Sequence, residues 1–220
     1  GSRSGEVVLK LFNGYQGALQ TDGYERYELL DGKKGIILLS CWAHARRKFS
    51  DAIKNDRERA ESALEQIQLL YEVERQIKDQ ALCFEEAAKL RVRLAYPIMV
   101  RFEKWLVAEH AKVIKGSPIE KAILYTYNRF NKLSRYHLDG RYNIDNNGIE
   151  NAARPVAVGR KNYLFCQNDD TAESTAIIYS FMGCCKAAKV NFRTWMIYFL
   201  DHVHDYDQDY TRDIAELLPD

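Results

Sequence analysis

Three things are scarce in this sequence: an excess of charge of one sign, a cysteine framework and a long apolar run. The formal net charge is +1, so no global imbalance argues for a polyanionic partner. Any such case rests on local basic clusters. The five cysteines are Cys41, Cys83, Cys166, Cys184 and Cys185. Their count is odd, their spacing fits no framework and two are adjacent, which excludes a disulfide-stapled secreted scaffold and reads as a reduced, intracellular chain. No apolar run approaches the ~20 residues that span a bilayer, and no signal peptide is visible. Repeats and low-complexity tracts are absent too. Gly1-Ser2 reads as an expression scar, so the chain is expected to be a piece of something longer.

What is present fits a folded domain. Apolar residues make up 46% and charged residues 29% of 220 positions, enough for one large or two small domains. Residues 5–16 suit a short helix ending near Gly14 or Gly17. "ALQTD" (18–22) is a strand candidate with Gly23 as its turn, and 23–30 reads as one or two helical turns. "GIILLSCW" (35–42) is a continuous apolar run that suggests a strand buried on both faces. A helix follows over 43–54. Strand, helix, strand, helix implies a parallel α/β unit.

The middle of the chain has a helical period. Ala60, Ala63, Leu64, Ile67, Leu70, Tyr71 and Ile77 define one apolar stripe over 57–79, and a second runs through 83–114, where Pro97 should kink or divide the helix. Ser117, Pro118 and Glu120 open a further helix as a capping box with proline at its first position. Residues 57–136 therefore read as a helical module inserted into an α/β domain, dividing the chain into 3–56, 57–136 and 137–220. Further helices are expected at about 171–188 and 191–204, with a short one near 211–218.

Several residues are candidates for chemistry. Asp22 ends the first strand candidate, where open parallel sheets place ligands and metals, although Asp-Gly is also a common turn pair. Glu150 is expected on a short helix capped by Asp145 or Asn146 and ended by Pro155. A first-turn acid answering the helix dipole is its plainer explanation. Two carboxylates far apart in sequence can converge on hard divalent ions and support in-line phosphoryl transfer. Cys41 and His44 have a zinc-like spacing but no visible second pair. His44, Arg46 and Arg47 stand at a strand-to-helix junction, facing either an anion or water. "GRKNY" (159–163) sets Arg160 and Lys161 beside amide and hydroxyl groups in a basic loop, as phosphate contacts do; a solvated turn fits it as well. Cys184 and Cys185 belong to an apolar stretch and read as core.

"LQTDGY", "CWAHARRKF", "IDNNGIENAARPVAVGRKNYLF", "AIIYSFMGCCK" and "AELLP" occur in that order. With them the chain, from about residue 3 to its end, resembles the catalytic region of bacterial transposases of the insertion-sequence sixty-six family. The pairing of the second and third motifs is far more specific than either alone. The resemblance implies a predominantly helical α/β protein: a partial ribonuclease-H-like fold with a short parallel sheet remnant and an inserted helical module. It implies a DDE site in which Asp22 and Glu150 are the second and third acids and bind Mg²⁺ or Mn²⁺. His44, Arg46, Arg47, Asn147, Arg160 and Lys161 would contact DNA. The intact enzyme would cut a phosphodiester at a transposon end and join the freed 3′-hydroxyl to target DNA in the bacterial cytoplasm. Expected partners are transposon-end and target DNA, further copies of the chain, and accessory proteins of the same element.

The first acid of the triad should lie on a strand ahead of residue 3, so these 220 residues alone are expected to be inactive. The edge at 18–22 should then recruit another chain or be covered by residues 3–17. Two rival readings remain at this level: a non-catalytic helical module that binds DNA or protein, and a zinc-stabilised domain.

Overall fold

The structure, a computed structural model, describes residues 5–163, 165–208 and 211–219. The chain divides into two compact units, Gly1–Asn147 and Gly148–Asp220. It is mostly helical, with one small parallel sheet.

In the first unit, helix α1 (Gly5–Leu11) is followed by strand β1 (Gly17–Thr21), a 3-10 turn (Glu25–Leu30) and strand β2 (Ile36–Ser40). The strands run parallel in the register Gly17↔Ile36 to Thr21↔Ser40. Helix α1 is shorter than its sequence suggests and packs against the 3-10 turn. The Tyr15 hydroxyl donates to the Ala18 carbonyl (2.8 Å) and Gln20 Nε2 to that of Asn143 (2.8 Å), so side chains meet β1 where strand partners are few. Burial of β2 on both faces holds only for its second half. Leu38 and Leu39 are buried, but Ile37 is 41% exposed, because a two-stranded sheet does not cover both faces along its length. On β2, Arg135 Nη1 donates to the Leu38 carbonyl (2.9 Å).

Helices α2 (Trp42–Ala52), α3 (Arg57–Asp79), α4 (Phe84–Leu90), α5 (Tyr96–His110), α6 (Pro118–Asn128) and α7 (Phe130–Ser134) complete the unit. Their apolar stripes converge on one core with Trp42, Phe49, Ile67, Leu70, Phe102, Leu106 and Ile123 at its centre. Trp42 is fully buried, lies about 6 Å from Phe102 and Phe130 (6.1 and 6.0 Å), and donates its indole N–H to the Leu133 carbonyl (2.9 Å). The capping signal at Ser117 is half realised. Ser117 Oγ accepts from the Glu120 N–H, but Glu120 turns its own carboxylate to the N–H of Gly116.

The segment is divided as Pro97 leads one to expect, with the proline in the first turn of α5. A π-helical turn over Arg91–Ala95 joins α4 to α5, and the Tyr96 N–H reaches back five residues to Arg91. The wider turn lies over the residues that a proline ring crowds in a regular α-helix. Arg91 is buried there. It grips Glu74 with Nε and Nη2 (2.8 and 2.6 Å), and its Nη1 donates to the carbonyls of Tyr136 and Asp139.

The second unit holds helices α8 (Asn147–Tyr163, which begins at the last residue of the first unit), α9 (Asp169–Ala188) and α10 (Phe192–Gln208), then a 3-10 turn (Ile214–Leu217). Trp195 is its hub, 5.0 Å from Phe181 and 5.4 Å from Phe199, with its indole N–H on the Leu217 carbonyl (2.8 Å). Two expectations fail in α8. Pro155 does not end it, and Arg160 and Lys161 stand on its last turn rather than in a loop. Proline removes one helical hydrogen bond and crowds one carbonyl; the surrounding positions are exposed, where water can take that carbonyl, and sixteen other residues propagate the helix. Two cations at a helix C-terminus also oppose its negative pole.

Candidate functional site

Asp22 directly follows β1, and Cys41 directly follows β2, so the two stand at matching positions on the C-terminal edge of the parallel pair. The Asp22 carboxylate is exposed, and its Oδ1 accepts the N–H of Tyr24 (2.9 Å). Its backbone is clamped from α6. The Tyr125 hydroxyl donates to the Asp22 carbonyl (3.0 Å), and Arg129 Nη2 to that of Gly23 (3.1 Å). Gly23 has φ +86°, and a Cβ there would lie 2.7 Å from the Tyr125 hydroxyl and 2.8 Å from Arg129 Nε. Glycine is demanded by both conformation and space. Tyr125 is flanked by two cations, with Arg129 at 4.3 Å and Lys48 at 5.5 Å from its ring centre. Its phenol is pushed above the ordinary value, chiefly by burial.

The two most specific motifs meet in space. The Trp42 N–H donates to the Ile144 carbonyl (3.1 Å), and the Asn146 N–H to Cys41 Sγ (3.5 Å). Burial raises the Cys41 thiol, so it stays protonated as a core group. Asp145 ties this junction to α3. Its Oδ2 accepts the Tyr71 hydroxyl (2.8 Å) and Asn147 Nδ2 (2.9 Å), and its Oδ1 accepts the Asn147 N–H (3.1 Å) at the mouth of α8. Burial, then the Asp145 carboxylate, pushes the Tyr71 phenol far above its usual range. Asp145 therefore serves as the bracket between α3 and the start of α8.

The structure gathers Arg46, Arg47 and Asn147 around one open cleft of about 660 Å³ between α2 and α3. Its lining also includes Tyr71, Arg75 and Lys78. His44 lies on α2 but does not line the cleft. Glu150 is half-buried in the first turn of α8, and Arg160 and Lys161 are exposed at its end; all three belong to the second unit. Tyr71, Tyr125, Arg129, Arg75 and Lys78 were not singled out as site residues from the sequence. Aromatic and basic residues at helical spacing read as core or as a solvated face, and no local signal says which turn they will clamp.

Within either unit, among the described residues, no three His, Cys, Asp or Glu side chains gather as a metal site. Carboxylates such as Asp22 and Glu150 are the right kind of donor for a hard cation.

The sequence matches the family model described as "Transposase IS66 family" over residues 1–174. The chain belongs to this transposase family. Similar curated proteins come from Sinorhizobium fredii: the uncharacterized protein y4hP is 32% identical, with 99% of this chain and 42% of that protein covered, and y4qI is 31% identical, with 88% and 37% covered. The chain thus spans about two fifths of the length of these relatives. No solved structure matches it. Among the described residues no helix is long and apolar enough to cross a membrane.

Proposed function

We propose that the chain is part of the catalytic region of a DDE-type DNA transposase built on a ribonuclease-H-like sheet. The observation that carries this reading is an exposed carboxylate, Asp22, at the C-terminal edge of a parallel strand pair in a chain of a transposase family. Ligands and metals bind at that edge of open α/β sheets. In the whole protein, Asp22 and Glu150 would supply two of the acids for Mg²⁺ or Mn²⁺, which activates the attacking and leaving oxygens of a phosphodiester. The chain's own contribution is positional. Tyr125 and Arg129 hold the turn that presents Asp22, and the Tyr71–Asp145 bond fixes the start of the helix that carries Glu150. Arg46, Arg47 and Asn147 on the cleft, with Arg160 and Lys161 on α8, would meet the DNA backbone, as guanidinium, ammonium and amide donors do.

The test is transposition of the element by the full-length protein. Asp22→Asn and Glu150→Gln should each abolish strand cleavage and joining while leaving end-DNA binding within about twofold. Retained strand transfer in either variant would remove that residue from the reaction.

A further inference from the structure

The cleft between α2 and α3 has a wall that the family-like motifs do not supply. Arg75 and Lys78 line it from α3, with Gln68 and Tyr71 on the same helix, while Arg46, Arg47 and Ser50 line it from α2. The single acid in the lining is Glu74. The sequence offers Glu74 to Lys78 as an i,i+4 pair in the favourable order. The structure spends Glu74 elsewhere, since both of its carboxylate oxygens are held by the buried Arg91. The Tyr71 hydroxyl is likewise committed to Asp145. Among the described residues, Arg46, Arg47, Arg75 and Lys78 carry no ion pair, whereas Arg57, Arg59, Lys89, Lys132 and Arg141 each hold a carboxylate. Glu65 and Glu72 lie with Arg46 and Gln68 along a neighbouring depression.

We infer that α3 forms the second wall of a nucleic-acid backbone groove, in which Arg75 and Lys78 contact phosphates alongside Arg46 and Arg47. This deepens the DNA-handling reading above and rests on it. Three guanidinium forks and an ammonium, interleaved with the amides of Gln68 and Asn147, suit phosphodiester oxygens. The cations at i and i+3 of α3 are about 4.5 Å apart along its axis, and a DNA strand offers a phosphate every ~3.4 Å of duplex axis. The cleft is open and lined by exposed polar side chains. That shape admits a passing strand rather than enclosing a small ligand.

The probe is a fluorescent 25-base-pair duplex of arbitrary sequence, titrated with the 220-residue chain at several salt concentrations. Arg75→Gln/Lys78→Gln should weaken binding about 10- to 100-fold near 0.1 M salt and flatten the slope of log K against log[salt] by about 1–2. Arg101→Gln/Lys104→Gln on α5 removes the same charge from exposed positions outside the cleft and should change binding less than threefold. Circular dichroism of both variants verifies the fold, and Arg75→Lys should recover most of the affinity. Duplex binding with an unchanged slope in the first variant overturns the groove and leaves the transposase reading standing. Equal losses in both variants reduce the effect to net charge and also overturn it. Displacement of the duplex by polyglutamate as readily as by single-stranded DNA of equal charge would reassign the cleft to acidic protein. No duplex binding by the unmodified chain at low salt would also overturn the groove, while the transposase reading stands or falls on the full-length protein.

Discussion

The two units bury their apolar residues very differently. In Gly1–Asn147 helices α2 to α7 and the two strands close over a continuous core in which Trp42, Phe49, Ile67, Phe102 and Ile123 are all sealed from water. In Gly148–Asp220 the buried apolar side chains among the described residues are Cys185, Trp195, Tyr206 and Leu217, while Ile177 (50%), Ile197 (52%) and Leu200 (61%) stand exposed. Comparable apolar composition does not make comparable cores. An amphipathic helix is stabilised by what covers its stripe. The first unit supplies that cover internally, whereas α9 and α10 meet each other along one aromatic seam.

The largest test of this contrast is a pair of tryptophan truncations. Trp42→Ala removes a fully buried ring and an indole hydrogen bond, and should cost the first unit about 5 kcal/mol, the upper end of the range for such changes. Trp195→Ala sits where neighbouring positions are solvated and should cost no more than about 3 kcal/mol. Denaturant unfolding followed by far-ultraviolet circular dichroism measures both; a greater loss for Trp195→Ala would reverse the contrast.

Arg91→Ala comes next. It leaves Glu74 without its partner and frees the carbonyls of Tyr136 and Asp139, so about 3–4 kcal/mol should be lost from the first unit. Arg91→Lys should not restore the stability, because an ammonium cannot reproduce the fork. Full recovery by lysine would show that charge alone, not geometry, holds α3 to the π-turn.

A smaller effect belongs to pH. Hydrogen bonds from Arg141 hold the Asp139 carboxyl down at about 2, below the ~3.9 of an unfolded chain. A depressed acid contributes stability that is present above the unfolded value and lost as pH falls through the folded one. Asp139→Asn should therefore flatten the pH dependence of first-unit stability between about pH 4 and 2 and leave the second unit unchanged. Because Arg141 is largely exposed, the effect should shrink in high salt. A persistent slope in that window would assign it to other carboxylates.

The smallest change tests the second unit alone. Lys189 caps α9 in the left-handed region, with φ 60°. Lys189→Gly should raise that unit's stability by about 0.5–1 kcal/mol. A loss instead would mean that the lysine side chain contributes more than its backbone strain costs.

Much of the local structure was legible in the residues. The stripe from Ala60 to Ile77 marked α3 within its observed bounds, Ser117-Pro118 marked the start of α6, and the run after Gly35 marked β2. Pro155 misled because its signal is local, whereas helix continuation depends on the bonds of many residues and on solvent reaching the orphaned carbonyl. Of the candidate site, Asp22 was readable as a strand-end acid. The clamp from Tyr125 and Arg129 was not, since a tyrosine on a helix and an arginine at its C-terminal cap carry no address for a turn a hundred residues earlier.

By itself the sequence determined the periodicities, the parallel strand pair and the order of motifs that marks the family, because those are set by side-chain chemistry and spacing along the chain. Which carboxylate answers which cation was decided only by the tertiary structure. Glu74 lies within reach of Lys78 on its own helix, yet packing brings a buried Arg91 to it with two hydrogen bonds. A desolvated bidentate pair outcompetes an exposed one. That choice, made across two helices, is what leaves Lys78 without an ion pair among the described residues beside the cleft.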